Sequence, residues 1–182
     1  MDTTCTIERD LTAEHAEEIR CLQQAAFPGT TEFLTQRWWH TPVADDEWWL
    51  GARVDGELIG SARLLFRTIV TTGGERVIGG IGNVCSHPDR RGQGAAAACM
   101  RAAAEEIGRE ADFGVLFCGE AVRGFYERLG WQVVDNELYP RPAGAGGERV
   151  RSTGHGCAMI SPGRQTLDEW PAGEIDLNGP DW

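Results

Sequence analysis

Lysine is absent from this chain of 182 residues: all seventeen basic residues are arginine, set against twenty-eight acidic ones. The formal charge of -11 and the isoelectric point near 4.8 exclude an extended phosphate-binding surface, and with it a nucleic-acid partner. A cationic substrate is compatible with that balance, and so is a plainly solvated acidic surface. Long apolar runs are lacking too. No window approaches the roughly eighteen residues of a membrane-spanning helix. The opening MDTTCTIERD has no basic region followed by an apolar stretch, so neither a membrane partner nor a secretory leader is expected, and the expected location is cytoplasmic. Cys5, Cys21, Cys85, Cys99, Cys118 and Cys157 form no C-x-x-C pair, and the four histidines do not fall near them at metal-ligand spacing. No metal site is expected, and the cysteines read as reduced core thiols.

The elements that are present run in one order along a chain of single-domain length, 1–182. CTIER alternates as a first strand, and LTAEHAEEIRCLQQAAF places Ile19, Leu22 and Ala26 at helical spacing behind a Thr12 cap. TTEFLTQRWW reads as a second short helix capped by Thr30 or Thr31. Two apolar runs meet at Asp55-Gly56, the strongest hairpin signal here, and RVIGGIGNVCS continues as a glycine-rich strand. A helix from about Gly92 to Arg109 follows. FGVLFC is then a buried strand, AVRGFYERL a helix stopped by Gly130, and WQVV another strand. YPRPAGAGGER is a loop, GHGCAMI one more strand, and the tail, with two tryptophans, is too apolar to trail into water.

One stretch carries chemistry: SHPDRRGQGAAAACMRAAAEE, Ser86 to Glu106. A strand, a turn carrying RRGQG and then a helix bring unpaired backbone amides and the positive end of the helix to one point. Gly92 and Gly94 remove side chains that would hold a phosphate away, while Arg90 and Arg91 add positive charge. The alternative is a tight turn with a surface arginine pair. Other phosphate motifs fail, since neither G-x-x-x-x-G-K-[ST] nor a strand-to-helix G-x-G-x-x-G occurs.

RGQGAA resembles the R-x-x-G-x-G/A loop of the GCN5-related N-acetyltransferases, or GNAT family. The resemblance implies an α/β (α+β) fold, a mixed and mostly antiparallel sheet flanked by helices, forming a single N-acetyltransferase domain. It also implies acetyl-CoA as co-substrate, its pyrophosphate held by Arg91, Gly92, Gln93, Gly94, Ala95 and Ala96, and its pantetheine arm paired with Val84, Cys85 and Ser86 through a splayed gap beside that strand. FYERLGW matches the family's tyrosine followed by GF or GW; that residue is Tyr126, whose hydroxyl is implied to protonate the departing thiolate. Packing on an amphipathic helix is the other reading of Tyr126.

The region from the loop to FYERLGW, with W-x-A-G and a final tryptophan, is similar to aminoglycoside 2'-N-acetyltransferases, and EWPAGEIDLNGP to nodulation N-acyltransferases of the NodA type. Both act on amino sugars. The carboxylates that the aminoglycoside enzymes place in the acceptor site align with Gly82 and Thr30, so the resemblance implies an acceptor with fewer amines than the polycationic drugs, such as kasugamycin. Asn83, Phe117, Asp181 and Trp182 complete the implied acceptor set with Gly82 and Thr30, and the terminal carboxylate carried by Trp182 is expected to meet a substrate ammonium; the alternative is a tryptophan that seals the core edge. An ammonium cannot attack a thioester, so a base is needed; Glu120 is the nearest candidate, with Asp176, Asp181 and Glu174 as others, and helix capping as the rival role of Glu120. Cys118 has no histidine partner, which favours direct transfer over a covalent thiol intermediate. Trp38, Trp39, Trp48 and Trp49 either wall a sugar site or fill the core. Two rivals stand beside the aminoglycoside reading: a NodA-like acyltransferase, and a non-catalytic acyl-CoA sensor. A homodimer is compatible with the sequence, which does not decide it.

Overall fold

The computed structural model describes residues 3–29, 47–142, 144–152 and 156–182. Thr30, the expected second helix, Trp38 and Trp39 lie outside the described residues. The strands are β1 (Thr4–Glu8), β2 (Glu47–Val54), β3 (Glu57–Thr71), β4 (Gly74–Ser86), β5 (Phe113–Cys118), β6 (Gln132–Val134), β7 (Leu138–Tyr139), β8 (Cys157–Pro162) and β9 (Ile175–Asp176). The helices are α1 (Ala13–Ala26), α2 (Ala95–Glu110) and α3 (Glu120–Glu127). The described chain is a mixed, mostly antiparallel sheet flanked by helices, the fold class expected from the sequence. It divides into two compact units, Met1–Leu64 with Gly82–Ala103 and Leu65–Ile81 with Ala104–Trp182; the long strands β3 and β4 run through both.

In the first unit the strand order is β1-β2-β3-β4. Asp55 and Gly56 both adopt left-handed φ, 51° and 86°, which is what the two-residue turn matching the twist of a hairpin demands. Thr12 caps α1 by accepting the His15 amide at 3.2 Å, and Ile19 and Leu22 bury the helix's apolar stripe. Trp48 and Trp49 are both buried on β2, so these two fill core, and the Arg9 guanidinium lies 3.9 Å from the centre of the Trp48 ring. Arg63, fully buried on β3, has Glu47 as counter-charge at 4.0 Å. The cysteines correct one expectation: Cys85, Cys99, Cys118 and Cys157 are buried, but Cys5 is half-buried and Cys21 exposed on α1, so not every thiol belongs to a core.

In the second unit β4 runs parallel to β5, from Ile78 opposite Phe113 to Ile81 opposite Leu116, and β8 lies antiparallel on the other side of β5. A strand with neighbours on both edges reads as a continuous apolar run, as FGVLFC does. α3 is stopped where Gly130 turns to φ 89°, which lets the Trp131 amide reach back to the Tyr126 carbonyl at 3.2 Å. The tail folds back, as expected, and supplies β9, which pairs antiparallel with β3 and parallel with β7. Trp170 meets Phe113 edge to face at 5.0 Å between centroids, and the buried Trp182 lies against Gly80, where an added Cβ would come within 2.6 Å of its ring.

Candidate active site

The amide loop begins where β4 ends. His87 donates its amide to the Ile59 carbonyl at 2.8 Å, and its Nδ1 accepts the Asp89 amide at 3.3 Å, capping a short 3-10 turn over Pro88–Arg90. Gly92 and Gly94 follow with φ of 80° and 81°, and α2 starts at Ala95. The expected helix start at Gly92 is therefore three residues early, because left-handed residues cannot sit in a right-handed helix. At Gly94 the requirement is conformational: an added Cβ meets nothing within 4 Å, so open space faces the loop. The backbone hydrogen bonds among the described residues leave the amides of Gly92, Gly94, Ala95 and Ala96 without an acceptor. Donors left over at a helix start, facing open space, form an anion cradle. Gly60 holds that helix start against the strands: a Cβ there would lie 2.7 Å from the Ala95 Cβ and 3.3 Å from the Cys85 carbonyl oxygen.

The arginine pair divides. Arg90 is taken by Glu57 at 2.5 Å, whereas Arg91 is exposed and has no ion-pair partner among the described residues. Only Arg91 remains available to an anion from this pair. On β4, pairing with β5 ends at Ile81, and Gly82 to Ser86 continue beyond it. Within that run Asn83 adopts φ 54° and donates its side-chain amide to the buried Gln23 of α1 at 3.2 Å. Gly82, Val84 and Ser86 are half-buried; Cys85 is buried, and burial pushes its thiol up, against the Ser61 hydroxyl at 3.3 Å.

The second unit carries the acid-base candidates. Tyr126 is 7% exposed on α3, with its ring 5.0 Å from that of Phe125. Glu120 opens the same helix, is 73% exposed, accepts the Cys157 thiol at 2.9 Å and lies 3.9 Å from Arg123. That hydrogen bond to Glu120, together with burial, pushes the Cys157 thiol up. Cys157 stands opposite Cys118 across β5 and β8, and burial raises the Cys118 thiol too, which keeps it in the poorly nucleophilic protonated form. Phe117 lines a cavity of about 350 Å³ shared with Val134, Asp135, Glu137, Leu138 and Arg151, and its ring lies 5.2 Å from that of Trp182. Asp181 is half-buried. Among the described residues no helix is long and apolar enough to cross a membrane, and no three His, Cys, Asp or Glu side chains group as metal ligands.

The profile of the acetyltransferase (GNAT) domain matches residues 8–134. The chain belongs to the GNAT family. Solved GNAT-type structures resemble it in fold. Escherichia coli YhbS, a GNAT family N-acetyltransferase in complex with CoA, has a TM-score of 0.62 at 16% identity over 97% of this chain and 91% of that one. An acyl-CoA N-acyltransferase from Pseudomonas aeruginosa gives 0.58 at 22% identity, over 87% and 97% of the two chains. Against a probable N-acyltransferase from Enterococcus faecalis V583 the TM-score is 0.56 at 17% identity over 72% of this chain, which spans only 33% of that protein's length. No curated protein matches the sequence. Membership of the GNAT family makes the protein an acetyltransferase; the aminoglycoside and NodA resemblances are not among these matches. Beyond the GNAT motifs, two features escaped the sequence reading: Cys157 as the partner of Glu120, and the cavity with Asp135. Both depend on β8 and on the β6–β7 connection, whose neighbours no local pattern announces.

Proposed function

We propose that the protein transfers the acetyl group of acetyl-CoA to an amine of an amino sugar, an aminoglycoside with few amines such as kasugamycin being the leading acceptor, and thereby inactivates it. The observation that carries the co-substrate is the loop of acceptor-free amides with Arg91 beside it, in a GNAT domain whose structural neighbour YhbS holds CoA. Support for the acceptor comes from the resemblance of the tail and from the acidic balance of the chain.

In this reading the pyrophosphate sits on the amides of Gly92 to Ala96, and the pantetheine arm follows Val84 to Ser86. The neutral amine attacks the thioester carbonyl carbon, the carbon–sulfur bond breaks, and the departing thiolate takes a proton from Tyr126. The proton lost by the acceptor ammonium passes to Glu120, whose exposure gives it a route to water, and the second proton, shed by the nitrogen as the amide forms, restores the Tyr126 hydroxyl. Transfer is direct, because the protonated Cys118 thiol is a poor relay. The test is thiol release from acetyl-CoA with glucosamine, kasugamycin and kanamycin as acceptors. Release with kasugamycin supports the reading. Release only when longer acyl-CoA replaces acetyl-CoA would make the protein a NodA-like acyltransferase, and tight CoA binding with no release would make it a sensor.

A further inference from the structure

The carboxylates around the second unit's cavity are almost all engaged. Glu137 accepts Arg151 at 2.5 Å and the Tyr139 hydroxyl at 3.0 Å. Glu174 is held by Arg149 at 2.8 Å. Asp176 takes Arg141 at 2.5 Å and the Asn178 amide at 2.9 Å. Asp135 is the exception: it lines the cavity, is exposed, and has no hydrogen bond or ion pair among the described residues. It is nonetheless well placed, since it directly follows β6 and precedes Asn136, whose side chain is fully engaged. Asn136 donates to the carbonyls of Pro171 at 3.0 Å and Gly173 at 2.7 Å, and accepts the Trp170 indole N–H at 2.7 Å. A carboxylate that lines an opening and has no counter-ion among the described residues can take a cation from outside.

We propose that this cavity is the acceptor site and that Asp135 anchors a second cationic centre of the acceptor, one that is not the reacting amine. The proposal rests on the acetyl-transfer reading above and deepens it by naming the class of acceptor. Because Glu137 already neutralises Arg151, the lining keeps one uncompensated negative charge, which selects against anionic acceptors. Phe117, Val134 and Leu138 supply apolar wall, and the Phe117 ring face can itself attract an ammonium. The volume of about 350 Å³ is close to the lower end of the usual range for small-molecule sites, roughly 300 to 1,000 Å³. It suits a one- or two-ring amino sugar, or a short diamine, better than a large polycationic drug.

The experiment compares the native protein, Asp135→Asn, Asp135→Glu and, as a control for net charge, the exposed Glu148→Gln. Steady-state thiol release is measured with kasugamycin, glucosamine and kanamycin, and 1,4-diaminobutane is titrated calorimetrically into each protein. For a di-cationic acceptor Asp135→Asn should raise KM about tenfold, the size of one charge-assisted contact, with kcat within about twofold and KM for acetyl-CoA unchanged. Asp135→Glu should recover much of that loss and Glu148→Gln should show none. Glucosamine, with a single amine, should respond less. An unchanged KM for every acceptor, or an equal rise in Glu148→Gln, would overturn the proposal. If the native protein acetylates none of the panel, the acceptor assignment above fails; the diamine titration then decides here, and equal binding by native and Asp135→Asn proteins would overturn Asp135 as the anchor.

Discussion

The two units of this chain present opposite electrostatics. In the first, among the described residues, the loop from Gly92 to Ala96 leaves amide donors without acceptors and Arg91 without a carboxylate. In the second, the described residues around the cavity pair nearly every charge among themselves and leave over a carboxylate, Asp135. The first surplus comes from backbone and the second from a side chain. A surplus of backbone donors survives side-chain changes and yields only to changes of conformation. A surplus carboxylate is created or removed by one substitution or by a new ion pair.

The largest effect that can break the contrast is chemical. Tyr126→Phe keeps the ring on α3 and removes the hydroxyl proposed above as the acid, so kcat should fall by roughly 10²- to 10⁴-fold while acetyl-CoA binding is unchanged. Wild-type turnover in that variant would leave Tyr126 as a packing residue and the second unit without its acid. Next is the loop. Gly94→Val forces a β-branched residue to φ 81°, at a strain cost of about 1–3 kcal/mol, so the loop should reshape and acetyl-CoA affinity drop by about tenfold or more. Calorimetry on the folded variant checks this, and unchanged affinity would mean that side-chain charge, not backbone, holds the cofactor.

The smallest effect concerns stability and sharpens the account of paired charge. Burial pushes the Asp176 carboxyl up, but the hydrogen bonds from Arg141 and the Asn178 amide, with the charges of Arg141 and Arg149, outweigh it and hold the carboxyl below its ordinary value. A carboxyl depressed in the folded state stabilises at pH above the ordinary Asp value of about 3.9, and the benefit is lost as pH falls through the folded value. Asp176→Asn should therefore lower the melting temperature at neutral pH, and the gap between variant and native protein should close under acid conditions. A gap of constant size from pH 7 to pH 3 would show that the carboxylate acts through packing and not through charge.

The parts of the fold that could be read from sequence are those set by short-range chemistry. Asp55-Gly56 announces its turn because two left-handed residues in succession have few other uses, and Gly130 announces the end of α3. RGQGAA was legible as a glycine turn leading into a helix for the same reason, although the start of the helix was misplaced by the same left-handed glycines. β7 and β9 were not legible, since two residues carry no periodicity and each is a strand only because of its partner. The division of Arg90 from Arg91 turns on Glu57, thirty-three residues away, and Asp135's lack of a partner among the described residues on where Arg149, Arg151 and Arg141 find their own. Which charge is left over is a property of the whole arrangement and cannot be read from any window.

The return of the tail to β3 also sets a timetable. Asn178 donates to the Thr68 carbonyl across 110 residues of chain, and Arg67 to the Pro180 carbonyl across 113. The β2–β3 hairpin, by contrast, closes over a two-residue turn. Loop-closure entropy must be overcome before such distant contacts reward it, so the hairpin can form early while β9 docks late in the search. Until then the part of β3 that receives β9 is an open sheet edge, the kind of surface on which partly folded chains pair with one another. The tail strand, two residues long in the finished protein, is thus the cover that closes that edge.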